Sequence, residues 1–219
     1  MHRLLFEKSG NAIWISHLDL MRLFQRAFKR AGLSLTHTQG YSPKPSVSIA
    51  MPLSVGVESI CELLDFDLEG DNVLNDEIVA RLNQSLVEGV RVLRAYENGQ
   101  KIKNLSLLHC QVCLEYDGGI PENADSLLQE LFSRQSLIVP KKSKNGIQEQ
   151  DIIPMIKRLD LIRAGEQDLI LDCVVCCQNP TLNPMQIAAA IELHLPAMKP
   201  DFVKCRRIEI FDVNENVFR

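Results

Sequence analysis

No apolar run in this chain approaches the roughly 20 residues that a membrane-spanning helix needs. Its first ten residues include Arg3, Glu7 and Lys8 where a signal peptide would carry an apolar block, so the expectation is a soluble cytoplasmic protein with no membrane partner. Positive charge is also scarce: 24 Lys and Arg against 28 Asp and Glu leave a formal net charge of −4. That excludes a generally basic nucleic-acid binder and leaves room for a local basic patch. A disulfide framework is lacking too. The seven cysteines are an odd number in a chain of 219 residues, long enough to fold without staples, and they lie in apolar strand-like stretches. Reduced thiols are expected. What is present in quantity is apolar side chain, 46% of residues, enough for one large domain or two small ones.

Periodicity orders the elements. Residues 2–15 carry the apolar stretches Leu4-Leu5-Phe6 and Ile13-Trp14-Ile15 around a Lys8-Ser9-Gly10-Asn11 turn signal, which reads as a strand or hairpin. A helix follows from His17, then strands over 46–51 and 61–68 joined by a turn at 52–56, a helix over 76–86 capped by Asn75, and a strand over 90–96. This β-α-β-β-α-β order is the split βαβ, ferredoxin-like arrangement, with two helices on one face of an antiparallel sheet. The polar, turn-rich stretch 97–104 marks a boundary between domains at 1–98 and 104–219. Beyond it the spacing predicts a strand over 105–116, a helix over 124–133, a strand over 136–139, a charged turn over 141–146, strands over 156–162 and 169–177, a helix opened by Asn183 with Pro184 at its first position, and a last strand over 204–211. The fold class is therefore α+β: two ferredoxin-like units with antiparallel sheets, the second holding one extra strand.

The function-bearing stretch is 14–45. Ser16 is a natural N-cap, and Asp19 three residues on completes a capping-box-like pair. Leu20, Met21, Phe24, Ala27, Phe28 and Ala31 form one apolar face, and Gly32 can end the helix in a left-handed conformation. Opposite them Arg22, Arg26 and Arg30, with Lys29 beside them, form a basic row without an acidic i+4 partner. The loop Gln39-Gly40-Tyr41-Ser42-Pro43-Lys44-Pro45 adds a stackable ring, a hydroxyl and a cation. Basic residues beside an aromatic suit single-stranded RNA. The ordinary reading is a solvated helix face and a proline-stiffened connection.

Other groups have competing readings. His17, in the first helical turn, and His37 could act as acid and base in metal-free phosphodiester cleavage, with Lys44 stabilising developing charge; otherwise they are a backbone-bonded residue and a loop residue. Cys110-x-x-Cys113 and Cys173-x-x-Cys176 have the spacing of a four-thiolate zinc site. Residues three apart on a strand point to opposite faces, which favours buried thiols instead. His109 and His194 read as core or surface. Glu58, Glu62 and Asp65 read as solvated edge charges. Lys204, Arg206 and Arg207 alternate along the last strand, leaving one or two, Arg207 among the candidates, to extend a basic surface.

The string Ile15-Ser16-His17-Leu18-Asp19-Leu20-Met21-Arg22, continuing through Arg26-Ala27 and Arg30-Ala31-Gly32, then Gly40-Tyr41-Ser42-Pro43-Lys44-Pro45 and Pro52-Leu53-Ser54-Val55-Gly56-Val57-Glu58-Ser59, closely resembles the bacterial radical-SAM-linked protein family. The resemblance is strongest over residues 3–68; Glu62 and Asp65 match the family's acidic pair, and Arg207-Ile208-Glu209 looks like its last strand. Members stand beside, or extend, a radical S-adenosylmethionine (SAM) protein, so the resemblance implies that partner. Radical SAM enzymes hold their cluster with a Cys-x3-Cys-x2-Cys run that keeps one iron open, and no such run occurs here. No cofactor is expected in this chain; the iron–sulfur cluster and SAM are expected in the partner. Three readings follow: a non-catalytic module recognising RNA or another anionic substrate for that partner, a His-dependent phosphodiesterase or nucleotide-processing enzyme, and a scaffold that binds protein alone.

Overall fold

Alternation along the first strand sets the architecture of the first unit. In β1 (His2–Lys8) the residues Leu4, Phe6 and Lys8 share one face and are buried, and the strand is flanked by β3 (Val57–Phe66) on one side and β4 (Val90–Glu97) on the other, both antiparallel. The short β2 (Val47–Ile49) pairs with β3, giving the order β4-β1-β3-β2. Helices α1 (His17–Arg30) and α2 (Asn75–Ser85) supply the other half of the core. Phe24 meets Phe6 edge-on with ring centroids 4.8 Å apart, and Phe28 lies at the same separation from Phe66. This is the expected ferredoxin-like unit. The computed structural model describes residues 1–70, 73–143 and 146–219.

The second unit repeats that topology. Strands β5 (Leu105–Glu115), β8 (Ile156–Arg163), β9 (Asp168–Cys176) and β10 (Phe202–Asp212) run in the order β10-β5-β9-β8, with helices α3 (Ala124–Phe132) and α4 (Met185–His194) in the two crossovers. Its core is Leu108, Cys110, Val112 and Leu114 of β5, Leu171 and Cys173 of β9, and Leu128, Leu131, Ile187 and Ile191 of the helices. The chain divides into Met1–Ile102 with Arg219, and Lys103–Phe218. Arg219 joins the first unit because its carbonyl accepts from the Gln100 amide at 2.6 Å.

Four local readings change. The stretch Ile13-Trp14-Ile15 is no strand: residues Gly10–Trp14 form a 3-10 turn, entered through Gly10 at φ +54°. Gly89 lets this turn approach, since a Cβ there would lie 2.4 Å from the Ser9 carbonyl oxygen. Asn75 is the first helical residue and no cap; Leu74 holds the cap position without a side-chain bond. The single extra strand is one arm of a two-stranded ribbon, β6 (Ile138–Ser143) and β7 (Gly146–Asp151). Of the charged turn between them, Lys144 and Asn145 lie outside the described residues. Glu62 is no edge charge: β3 is paired on both sides, and Glu62 is fully buried, accepting from Ser59 Oγ at 2.8 Å. Asp65 meets Arg3 through two bonds, Nε to Oδ1 at 2.5 Å and Nη2 to Oδ2 at 3.0 Å.

Lys8 is buried in this unit as well. It is 0% exposed, and its Nζ donates to the carbonyls of Ile13, Ile15 and Ser54 at 3.1, 3.2 and 3.4 Å. The Gly56 amide also donates to the Ile13 carbonyl at 2.9 Å, but removing a buried charged donor still takes a bond from each carbonyl, which costs more than the net value of an ordinary hydrogen bond. Lys8→Met is expected to destabilise the protein by about 3 kcal/mol in urea titration, whereas Lys29→Met on the exposed face of α1 should change stability by under about 0.5 kcal/mol.

Candidate nucleic-acid interface

The site begins where Lys8 fixes the chain. With Ile13 and Ile15 held, Ser16 enters α1 in an extended conformation and its hydroxyl accepts from the Asp19 amide at 3.2 Å. The same hydroxyl donates to Asp19 Oδ2 at 2.7 Å, and Arg22 Nη1 donates to Asp19 Oδ1 at 2.9 Å. The Ser16 hydroxyl, then Arg22, then the charge of Arg26 hold the Asp19 carboxyl below the usual carboxylate range. The basic row therefore carries one acid at its start. Arg26 and Lys29, both exposed, have no ion-pair partner among the described residues.

Arg30 leaves the row. At about 100° per residue Lys29 lies within about 20° of Arg22 around the helix, while Arg30 lies about 80° away. It turns toward α2, where its Nη2 donates to the Ser85 carbonyl at 2.5 Å. The solvent-facing row is therefore Arg22, Arg26 and Lys29, preceded by the exposed Leu18.

Beyond α1 the chain turns through Gly32 at φ +67° and builds a lobe. His37 and Pro45 form an isolated bridge, the Thr38 amide donates to the Lys44 carbonyl at 2.8 Å, and the Lys44 amide returns to Thr38 Oγ1 at 3.0 Å. Tyr41 stands at the tip with its ring wholly open to solvent, 110% exposed relative to the reference state, and Ser42 and Lys44 are exposed beside it. The stem of this lobe and the end of α1 share a hollow of about 340 Å³, lined by Gln25, Phe28 and Lys29 of the helix, residues 32–35 of the turn, His37 and Pro45 of the stem, and Glu69. The hollow thus lies between Lys29, the last member of the basic row, and the stem of the lobe.

His17 and His37 are not brought together. His37 lines the hollow near Lys29, and its Nδ1 lies 3.8 Å from Glu69 Oε1, whereas His17 opens the helix, which rises about 18 Å between His17 and Lys29. A pair working as acid and base on one phosphodiester needs both imidazoles within hydrogen-bond reach of it. Arg207 is also set apart. Alternation on β10 puts it with buried Cys205, and at 9% exposure it contributes nothing to a solvent-facing basic surface; Lys204 and Arg206 occupy the exposed face.

The cysteines do not converge. Cys110 and Cys173 are directly opposed on β5 and β9 with their sulfurs 3.5 Å apart in the core. Cys113 lies toward the other face opposite Ile170, and Cys176 sits opposite Leu107, roughly 20 Å along the ladder. Burial pushes the Cys205 thiol up to about 12, and contact with Cys173 together with burial raises Cys110 further. These are neutral thiols. Among the described residues Cys113, Glu115 and Asp168 hold ligand atoms within 4.8 Å of one another. Lys204, ion-paired with Glu115, already supplies a cation there, and burial followed by the nearby carboxylates raises the Cys113 thiol.

The model of a family described as "Uncharacterized protein conserved in bacteria (DUF2344)" matches residues 2–184. The chain belongs to this family. No curated protein matches it significantly. Among solved structures, a chain from the "Crystal Structure of a Cbf5-Nop10-Gar1 Complex" is similar over 95% of this chain and 48% of its own length, at 9% identity and a TM-score of 0.52. At that identity the likeness is one of fold, and this DUF2344 chain spans about half of that neighbour. An unknown protein from Galdieria sulphuraria aligns over 97% of both chains at 12% identity with a TM-score of 0.26, too low to carry an argument. Among the described residues no helix is long and apolar enough to cross a membrane.

Sequence reasoning missed Lys8, Gln25 and Glu69. Lys8 was detectable, because it continues the period-two face of Leu4 and Phe6; Glu69 was not, because its approach to Lys29 and His37 depends on the path of the 32–35 turn. The lobe's closure is open to a direct check. Thr38→Val removes the bond to the Lys44 amide, so hydrogen exchange at that amide is expected to quicken about tenfold, with the urea midpoint nearly unchanged.

Proposed function

We propose that this protein is a non-catalytic module that binds single-stranded RNA and presents it to a radical SAM enzyme, which carries the iron–sulfur cluster and SAM. The observation that carries the reading is one exposed surface: the row Arg22, Arg26 and Lys29 on α1, the exposed Tyr41 and Lys44 of the lobe, and between Lys29 and the lobe's stem a hollow. Cations three or four residues apart along a helix can follow a phosphate backbone, and a fully exposed tyrosine ring offers a base a stacking platform. On a protein of net charge −4, such a row attracts anions only locally, as a module with one dedicated face would require.

The partner part of the proposal rests on the resemblance of residues 3–68 and on the missing cluster-binding cysteine run. Trp14 and Leu18, 58% and 67% exposed, give the first unit apolar surface of the kind a protein interface uses. The His-dependent phosphodiesterase reading loses its geometric basis with His17 and His37 at opposite ends of α1.

Retention of total cellular RNA by the purified chain at two salt concentrations tests the binding claim. Each single-strand phosphate contact contributes about 0.7 to the slope of log affinity against log salt. The triple variant Arg22→Glu, Arg26→Glu, Lys29→Glu is therefore expected to bind far more weakly and to flatten that slope by about 2. Equal retention and equal slope in wild type and variant would contradict the proposal.

A further inference from the structure

The hollow beside the basic row has the volume of a small-ligand site, about 340 Å³. Its lining divides by chemistry. Phe28, Leu33 and Leu35 are buried apolar residues, Pro45 adds a flat ring, Lys29 brings a cation, and Glu69 brings a carboxylate. We infer that this hollow is a nucleotide pocket that selects guanine. The inference rests on the RNA-binding reading of this face and adds to it the base that is read.

The argument for guanine is one of donors and acceptors. A carboxylate only accepts, through two oxygens that match a pair of adjacent donors. Guanine presents two such donors on its pairing edge, N1–H and the N2 amino group. Adenine and cytosine set an amino group beside an unprotonated ring nitrogen, which repels a carboxylate oxygen, and uracil sets its one N–H between two carbonyls. The apolar residues packed around the hollow do not distinguish one base from another, so discrimination falls to Glu69.

Glu69 is held for that role. Its backbone amide donates to the Ser34 carbonyl at 2.8 Å, which fixes the residue's backbone against the turn that forms the hollow's wall, and its carboxylate, more than half exposed, lies 3.8 Å from the His37 ring. A guanine base seated against Glu69 places its phosphate outward, and Lys29 supplies the charge for it as the last member of the row Arg22, Arg26 and Lys29. The preceding phosphates of a strand then run along that row. The helix supplies affinity without sequence, and the hollow at its end supplies sequence.

Titration of the full-length chain with GMP, AMP, CMP and UMP by calorimetry tests this, with total-RNA retention measured on the same preparation. GMP is expected to bind at least about tenfold more tightly than the other three; Glu69→Gln, which exchanges one acceptor oxygen for a donor, is expected to erase that preference; and Lys29→Ala is expected to weaken all four. Equal affinities, or a guanine preference that survives in Glu69→Gln, would overturn the inference. If no nucleotide binds while RNA is still retained, the guanine pocket is wrong and the RNA-binding face stands; if neither is bound, both are wrong.

Discussion

A single ammonium group inside the first unit fixes where its surface points. Lys8 lies on the buried face of β1 and gathers three carbonyls from two separate segments, those of Ile13 and Ile15 before α1 and that of Ser54 before β3. Burying a charge is unfavourable unless hydrogen bonds replace its water, so this arrangement persists only if both segments stay in place. The 3-10 turn, the Ser16 cap and hence the azimuth of α1 follow from it. Because the helix is set by its start, the directions of Arg22, Arg26 and Lys29 some 8–18 Å further along depend on a lysine that never touches solvent.

The two faces of α1 then do different work. Phe24 and Phe28 pack on Phe6 and Phe66 and hold the helix to the sheet, and its outer side carries the cations. The division is not perfectly clean. Asp19 serves the N-terminus as a capping partner and also pairs with Arg22, an exposed contact of little net stability. Its consequence is directional: the uncompensated charge rests on Arg26 and Lys29, toward the hollow and the lobe. The second unit repeats the topology without repeating these features, and its β10 directs Arg207 into the interior.

Much of this was legible in the sequence because it depends on neighbours in the chain. The α1 cap, its apolar face, the split βαβ order in both halves and the opposed directions of Cys110 and Cys113 all follow from periods of 3.6 and 2. Helical arithmetic alone would also have replaced Arg30 by Lys29 in the basic row. The misreadings arise where distant segments decide. Ile13-Trp14-Ile15 has the apolar look of a strand, and the 3-10 turn wins because Lys8 and the Gly56 amide engage its carbonyls. Glu62 reads as an edge charge until β3 is seen to be paired on both sides. His17 and His37 are set apart because α1 carries the chain about 18 Å from His17 to Lys29, beside which His37 lines the hollow.

Photo-crosslinking of bound RNA, with the attached peptides identified by mass spectrometry, tests the central claim most directly, because it reports the binding face without altering it. The account predicts adducts on α1 and on residues 38–45, with Tyr41, the exposed ring at the lobe's tip, as the principal site. Adducts confined to residues 103–218 would contradict it: the basic row would then be an ordinary solvated helix face.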